Sequence, residues 1–143
     1  MSTSHKASCL CGGVKFEVTG QLRDVVACHC VQCRKQTGNY MSATGCDDDA
    51  LTMTSTDGLA WYESTPGYKR GFCSTCGSTL FWKADRTGRI AIAAGVFDGP
   101  LGVRLKGHIY CDYAGDYYEI AGGEFHEPLS DSYSDAKPET CPG

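Results

Sequence analysis

The sequence predicts an all-β fold of short strands, with at most one or two short helical turns. Three observations carry that expectation. Short runs rich in β-branched and aromatic residues recur along the chain, each bounded by Gly, Asp, Ser or Pro. Eighteen glycines supply the positive-φ turns that many short strands require. No window places apolar residues at a 3.6-residue repeat, so no long amphipathic helix is expected.

The clearest strand is "VKFEV", where Val14, Phe16 and Val18 alternate with Lys15, Glu17 and Thr19, a period of two. Similar runs follow at "DVVAC", "NYMSATG", "LTMTS", "LAWYES", "KRGFC", "STLFW", "RIAIAAG", "GHIYC" and "YYEIA". The one candidate helical turn is "VQCRKQTG", with Gly38 placed to end it. From "HEPLSDSYSDAKPETCPG" onward, polar residues and proline predominate. The expected organisation is therefore one β domain over residues 1–125 and a polar C-terminal tail over 126–143.

A chain of 143 residues fits one ordinary domain, and 41% hydrophobic with 21% charged residues is ordinary for a globular protein. The ten cysteines are not ordinary. A secreted disulfide scaffold would account for them, but "MSTSHKASCLCGG" carries no apolar run of the kind a signal peptide needs. Seven of the ten also fall in the clusters C-x-C, C-x-C-x-x-C and C-x-x-C. Cysteines two or three apart are awkward disulfide partners but suit chelation of one ion. The expectation is a cytoplasmic protein whose thiolates are committed to metal. No apolar stretch approaches the ~20 residues of a membrane helix. A formal charge of −4 disfavours nucleic acid, and thiolates would make the balance more negative.

The first metal constellation combines Cys9 and Cys11 of "CLCGG" with Cys73 and Cys76 of "FCSTCGS". In an extended segment, residues i and i+2 share a face, so Cys9 and Cys11 can converge on one point. A C-x-x-C followed by glycine is a zinc-knuckle turn, in which backbone N–H groups point at sulfur. The two arms would close a four-cysteine structural zinc site holding the sheets together. The competing reading, redox chemistry at Cys73 and Cys76, wants a helix after the motif, and strand-like sequence flanks it instead.

The second constellation is Cys28, Cys30 and Cys33 of "CHCVQC". His29 lies between two same-face residues and should point the other way, toward a hydrogen-bond partner or the surface. Cys46, Cys111 and Cys141 are other candidates for a fourth ligand, although none has a chelating neighbour. Two readings stand: a second closed site completed by a distant cysteine, or a zinc with three protein thiolates and an open position, the pattern of catalytic zinc. An open tri-thiolate centre is a weak Lewis acid that favours a soft anionic ligand, and a substrate thiolate fits. Arg34 and Lys35 directly follow and could pair with carboxylates of a small peptide thiol, or be solvated charges on a turn.

With these motifs in view, the chain resembles the family of the glutathione-dependent formaldehyde-activating enzyme, also called S-(hydroxymethyl)glutathione synthase. The resemblance runs through "CLCGGVKFEVTG", "CHCVQCRKQTG", "YESTPGYKRGFCSTCGSTLFW" and "IAAGVFDGP". It implies an Mss4-like fold of short antiparallel sheets and two zinc ions per chain. Cys9, Cys11, Cys73 and Cys76 would hold the structural ion, and Cys28, Cys30 and Cys33 the catalytic one. The implied activity is a carbon–sulfur lyase or synthase reaction, with glutathione as co-substrate and formaldehyde or a similar small electrophile as its partner. Arg34 and Lys35, with Lys69 and Arg70 of "GYKRGFC", are the candidate carboxylate-binding residues. A non-catalytic zinc-stabilised binding module and a glutathione carrier are the alternatives.

Overall fold

The computed structural model describes residues 3–129. A three-stranded antiparallel sheet, in the order β1-β2-β5, is formed by β1 (Ser4–Ser8), β2 (Val14–Thr19) and β5 (Leu51–Thr56). The other strands are β3 (Val25–Cys28), β4 (Met41–Asp47), β6 (Leu59–Thr65), β7 (Tyr68–Cys73), β8 (Thr79–Ala84), β9 (Arg89–Ala93), β10 (Leu105–Ile109) and β11 (Phe125–His126). They form an eight-stranded sheet in the order β11-β10-β3-β4-β9-β8-β7-β6. One α-helix, α1 (Val31–Thr37), links β3 to β4, and three single turns of 3-10 helix complete the described elements. The all-β expectation holds, with slightly more helical turn than the sequence suggested.

The expected antiparallel pairing departs at one edge. β10 pairs in parallel with both β3 and β11. β9 and β3 each run antiparallel to β4, which lies between them, so β9 and β10 share a direction. The chain must cross over β4 and β3 to reach the edge, and parallel neighbours need such a crossover rather than a hairpin. "YYEIA" is not a strand either. Tyr118 and Ala121 within it bond to histidine side chains instead of a ladder. β11 continues past residue 125, since His126 pairs with His108 and the Glu127 carbonyl accepts from the Cys111 N–H. The remainder of the expected tail, including Cys141, lies outside the described residues.

The alternation in β2 does what it predicts: Val14, Phe16 and Val18 are buried while Lys15 and Thr19 are exposed. Phe16 packs against Phe81 of β8 with ring centroids 4.9 Å apart, joining the small sheet to the large one. Burying one such ring stabilises by about 2 kcal/mol. Leu80, Ile90 and Ile92 complete this core. A second core gathers Val26, Met41, Ala43, Ile109 and Tyr110 around Cys30 and Cys33. One thiol cluster therefore sits at the junction of the sheets, and the other at the β3–α1 corner.

Candidate metal centres

The sulfur atoms of Cys9, Cys11, Cys73 and Cys76 lie within 4.8 Å of one another. Two turns bring them there. After β1, the Gly12 N–H closes on the Cys9 carbonyl with Gly12 at φ +82°, and the Val14 N–H points at the Cys9 sulfur at 3.3 Å. After β7, the Gly77 N–H closes on the Cys73 carbonyl with Gly77 also at φ +82°. Positive φ at these two positions is the reason glycine follows each cysteine motif. Ser78 ties the arms together: its hydroxyl accepts from the Leu10 N–H at 3.0 Å and lies 3.2 Å from the Cys76 sulfur. Hydrogen bonds from the Ser78 side chain, and then its backbone, lower the Cys76 thiol to about 5.

Sulfur separations test whether a metal fits. Cys9 to Cys11 is 3.6 Å and Cys11 to Cys73 is 3.7 Å. A tetrahedral ion with metal–sulfur bonds of about 2.3 Å places its ligands about 3.8 Å apart. A disulfide needs about 2.0 Å, and none forms among the described cysteines. The donor set fits a thiophilic ion.

Cys28, Cys30 and Cys33 form the second group, again within 4.8 Å of one another. Cys28 ends β3, Cys30 is the N-cap of α1, and Cys33 stands in the helix's first turn. The Cys33 N–H donates to the Cys30 sulfur at 3.3 Å, so the helix start fixes the second and third sulfurs together. Among the described residues no fourth metal-ligating side chain joins them. Cys46 is instead packed in the other core.

His29 is fully buried and turned away, both ring nitrogens engaged. Its Nδ1 lies 2.8 Å from the Tyr118 hydroxyl, and its Nε2 lies 2.9 Å from His108 Nδ1. The polarity of this chain follows from its outer end. The Tyr118 hydroxyl already accepts from the Gly115 N–H at 3.1 Å, so its own proton goes to His29 Nδ1. His29 Nε2–H then donates to His108 Nδ1, and His108 Nε2 donates to the Ala121 carbonyl at 3.0 Å. Burial first, then His108 and His126, lowers His29 to about 4, so the ring is neutral as this polarity requires.

A cavity of about 570 Å³ opens between α1 and the strands β6 to β8, lined by Gln32, Lys35, Gln36, Tyr62, Arg70 and Phe72 among others. Arg70, 3% exposed, donates to Gln36 Oε1 at 2.9 Å, to Gln32 Oε1 at 3.2 Å and to the Cys33 sulfur at 3.6 Å. The expected carboxylate-binding residues therefore separate. Lys35 and Arg70 line the cavity. Lys69, the next residue on β7, faces the other way, over the Trp61 ring at 4.8 Å. Arg34 lies near Tyr118, where its charge acts on the phenol, and it is not part of the cavity lining. Sequence reasoning missed Gln32 and Gln36, whose i, i+4 spacing on a helix facing a cysteine was the available signal.

This architecture defines a β-sheet protein with two thiol clusters competent to bind metal, one of them beside a cavity. The chain belongs to the family of the glutathione-dependent formaldehyde-activating enzyme, whose model matches residues 4–113. It is 24% identical over 119 residues to an uncharacterized lyase of Schizosaccharomyces pombe, covering 82% of this chain and 85% of that protein. The crystal structure of a Rhodobacter sphaeroides protein superposes with a TM-score of 0.56 at 24% identity, covering 71% of this chain and 99% of that one. That likeness supports the fold. No helix among the described residues is long and apolar enough to cross a membrane.

Proposed function

We propose that the protein is a zinc-dependent carbon–sulfur lyase or synthase that joins the glutathione thiol to formaldehyde, or to a similarly small electrophile, and reverses that reaction. The observation that supports this reading is a three-sulfur cluster with no fourth ligand among the described residues, linked through Arg70 to a cavity that Lys35 also lines. Cys28, Cys30 and Cys33 would hold the catalytic zinc, while Cys9, Cys11, Cys73 and Cys76 would hold a structural one. Bound zinc supplies a seat where a substrate thiol is held deprotonated yet still nucleophilic.

The chain's own residues do the rest. Lys35 offers its ammonium to a glutathione carboxylate in the cavity, and Gln32 and Gln36 line its α1 side. The volume of about 570 Å³ accommodates a tripeptide. His29, neutral and bonded at both nitrogens, anchors the backbone between Cys28 and Cys30 on the side away from their sulfurs.

Isothermal titration of the zinc-loaded protein with glutathione is expected to show one site per chain, abolished in Cys33→Ser. NMR exchange spectroscopy of the glutathione–formaldehyde adduct is expected to show faster exchange when the protein is present. Binding without acceleration would identify a thiol carrier. Two bound zincs without glutathione affinity would identify a binding module and overturn the proposal.

A further inference from the structure

Arg70 is out of place for a residue that merely holds a substrate carboxylate. It is 3% exposed, and its guanidinium reaches the sulfur of Cys33, while Gln32 and Gln36 of α1 fix the two terminal nitrogens. Burying a cation is costly unless it faces negative charge or strong acceptors. Its position on β7, across the cavity from α1, puts that charge between the cavity and the three-cysteine cluster.

The charge balance of the cluster gives this contact a purpose. Three thiolates around a dication leave a net charge of −1, and an incoming thiolate would raise it to about −2 in a partly buried site. Such a site should repel the ligand it is proposed to accept. A fixed cation against one of the sulfurs offsets that repulsion, whatever the rest of the ligand does. We propose that Arg70 is the electrostatic positioning residue that lets the Cys28/Cys30/Cys33 centre take a fourth, anionic sulfur, and so selects thiols over S-blocked analogues. The inference rests on the proposed open tri-thiolate site and goes beyond it by naming the residue that sets its ligand preference.

The test compares two probes on zinc-loaded protein by isothermal titration: glutathione, and S-methylglutathione, which keeps both carboxylates but cannot supply a thiolate. Wild type is expected to favour glutathione. Arg70→Met is expected to lower glutathione affinity roughly ten- to hundredfold, the loss of one nearby unit charge at intermediate dielectric, with little change for the S-methyl compound. Arg70→Lys, which keeps the charge, is expected to restore much of the preference. Cobalt substitution supplies a readout independent of turnover, since the sulfur-to-cobalt charge-transfer band of the ligand-free centre should be retained in Arg70→Met and grow less when glutathione is added.

Equal losses for both probes would make Arg70 a carboxylate contact and overturn the inference. Unchanged glutathione affinity in Arg70→Met would overturn it as well. A wild type without any preference for glutathione would instead overturn the open-site reading beneath it. Should Arg70→Met fail to fold, Gln36→Glu leaves the guanidinium in place and sets a carboxylate against it at the 2.9 Å contact. That variant is expected to reduce the thiol preference in the same way, and an unchanged preference would overturn the inference.

Discussion

Cys46 follows Gly45 into an acidic turn, yet the residue is only 6% exposed and packs in the core shared by the two sheets. Burial first, and then Asp47 and Asp48, pushes it up from 9.0 to about 11. Iodoacetamide attacks the thiolate. At pH 8 it is expected to leave Cys46 unmodified in the folded protein and to modify it once urea unfolds the chain, as read by peptide mass mapping. Rapid labelling of the folded protein would contradict the burial. The linkage has a definite sign: the thiol's contribution to stability is complete below about pH 9 and is lost as the pH rises toward about 11. Sequence alone left Cys46 open as a zinc ligand, because only tertiary packing says which core a lone cysteine joins. For His29 the i, i+2 geometry was legible, and the ring does point away from the sulfurs. Its partners were not, since His108 and Tyr118 lie 79 and 89 residues further on.

At the scale of elements, α1 and β7 form the two walls of the cavity, and a glycine in or beside each tests a different constraint. Gly38 caps α1 at φ +85°, its N–H bonded to the Arg34 carbonyl, with open space where a Cβ would stand. Gly38→Ala is therefore expected to cost only backbone strain, about 1 kcal/mol. Gly71 in β7 lies against rings: a Cβ there would stand 2.9 Å from Phe81 Cδ2 and 3.0 Å from Trp61 Cζ3. Gly71→Ala is expected to cost more, about 1–3 kcal/mol, because packed rings must shift. Urea denaturation of the two variants checks the order, and a shift in Trp61 fluorescence should accompany Gly71→Ala alone. The helix and its terminal glycine were legible because capping is local chemistry. β1 was not: "SHKAS" buries only Ala7 fully and lacks the β-branched and aromatic residues that mark strands. The crossover to β10 was hidden for a different reason, since strand order depends on which edges remain to be covered, and no short stretch of sequence records that.

The whole molecule has two thiol clusters with unequal structural burdens. Cys9 and Cys11 follow β1 of the small sheet, while Cys73 ends β7 of the large one, 62 residues beyond Cys11. A metal at this junction closes a long loop and clamps the sheets where Phe16 meets Phe81. The other cluster spans only residues 28 to 33, inside a corner already fixed by α1 and by the β3 pairing with β4 and β10. Metal affinity at the first cluster would therefore be folding free energy, of the order of 10 kcal/mol in comparable sites. At the second, most of it would be available for ligand binding. Cys73→Ser, which removes a fully buried ligand, is expected to lower the melting temperature by roughly 10 °C or more and to yield largely unfolded protein. Cys33→Ser is expected to melt within a few degrees of wild type, retaining one zinc of two by elemental analysis. The same asymmetry should appear on chelation: one zinc leaves early with the fold intact, and the second leaves together with the strand circular-dichroism signal. Equal melting temperatures for the two variants would mean that the junction is held by its apolar core alone, and simultaneous loss of both metals would mean that the two clusters do not differ in structural burden.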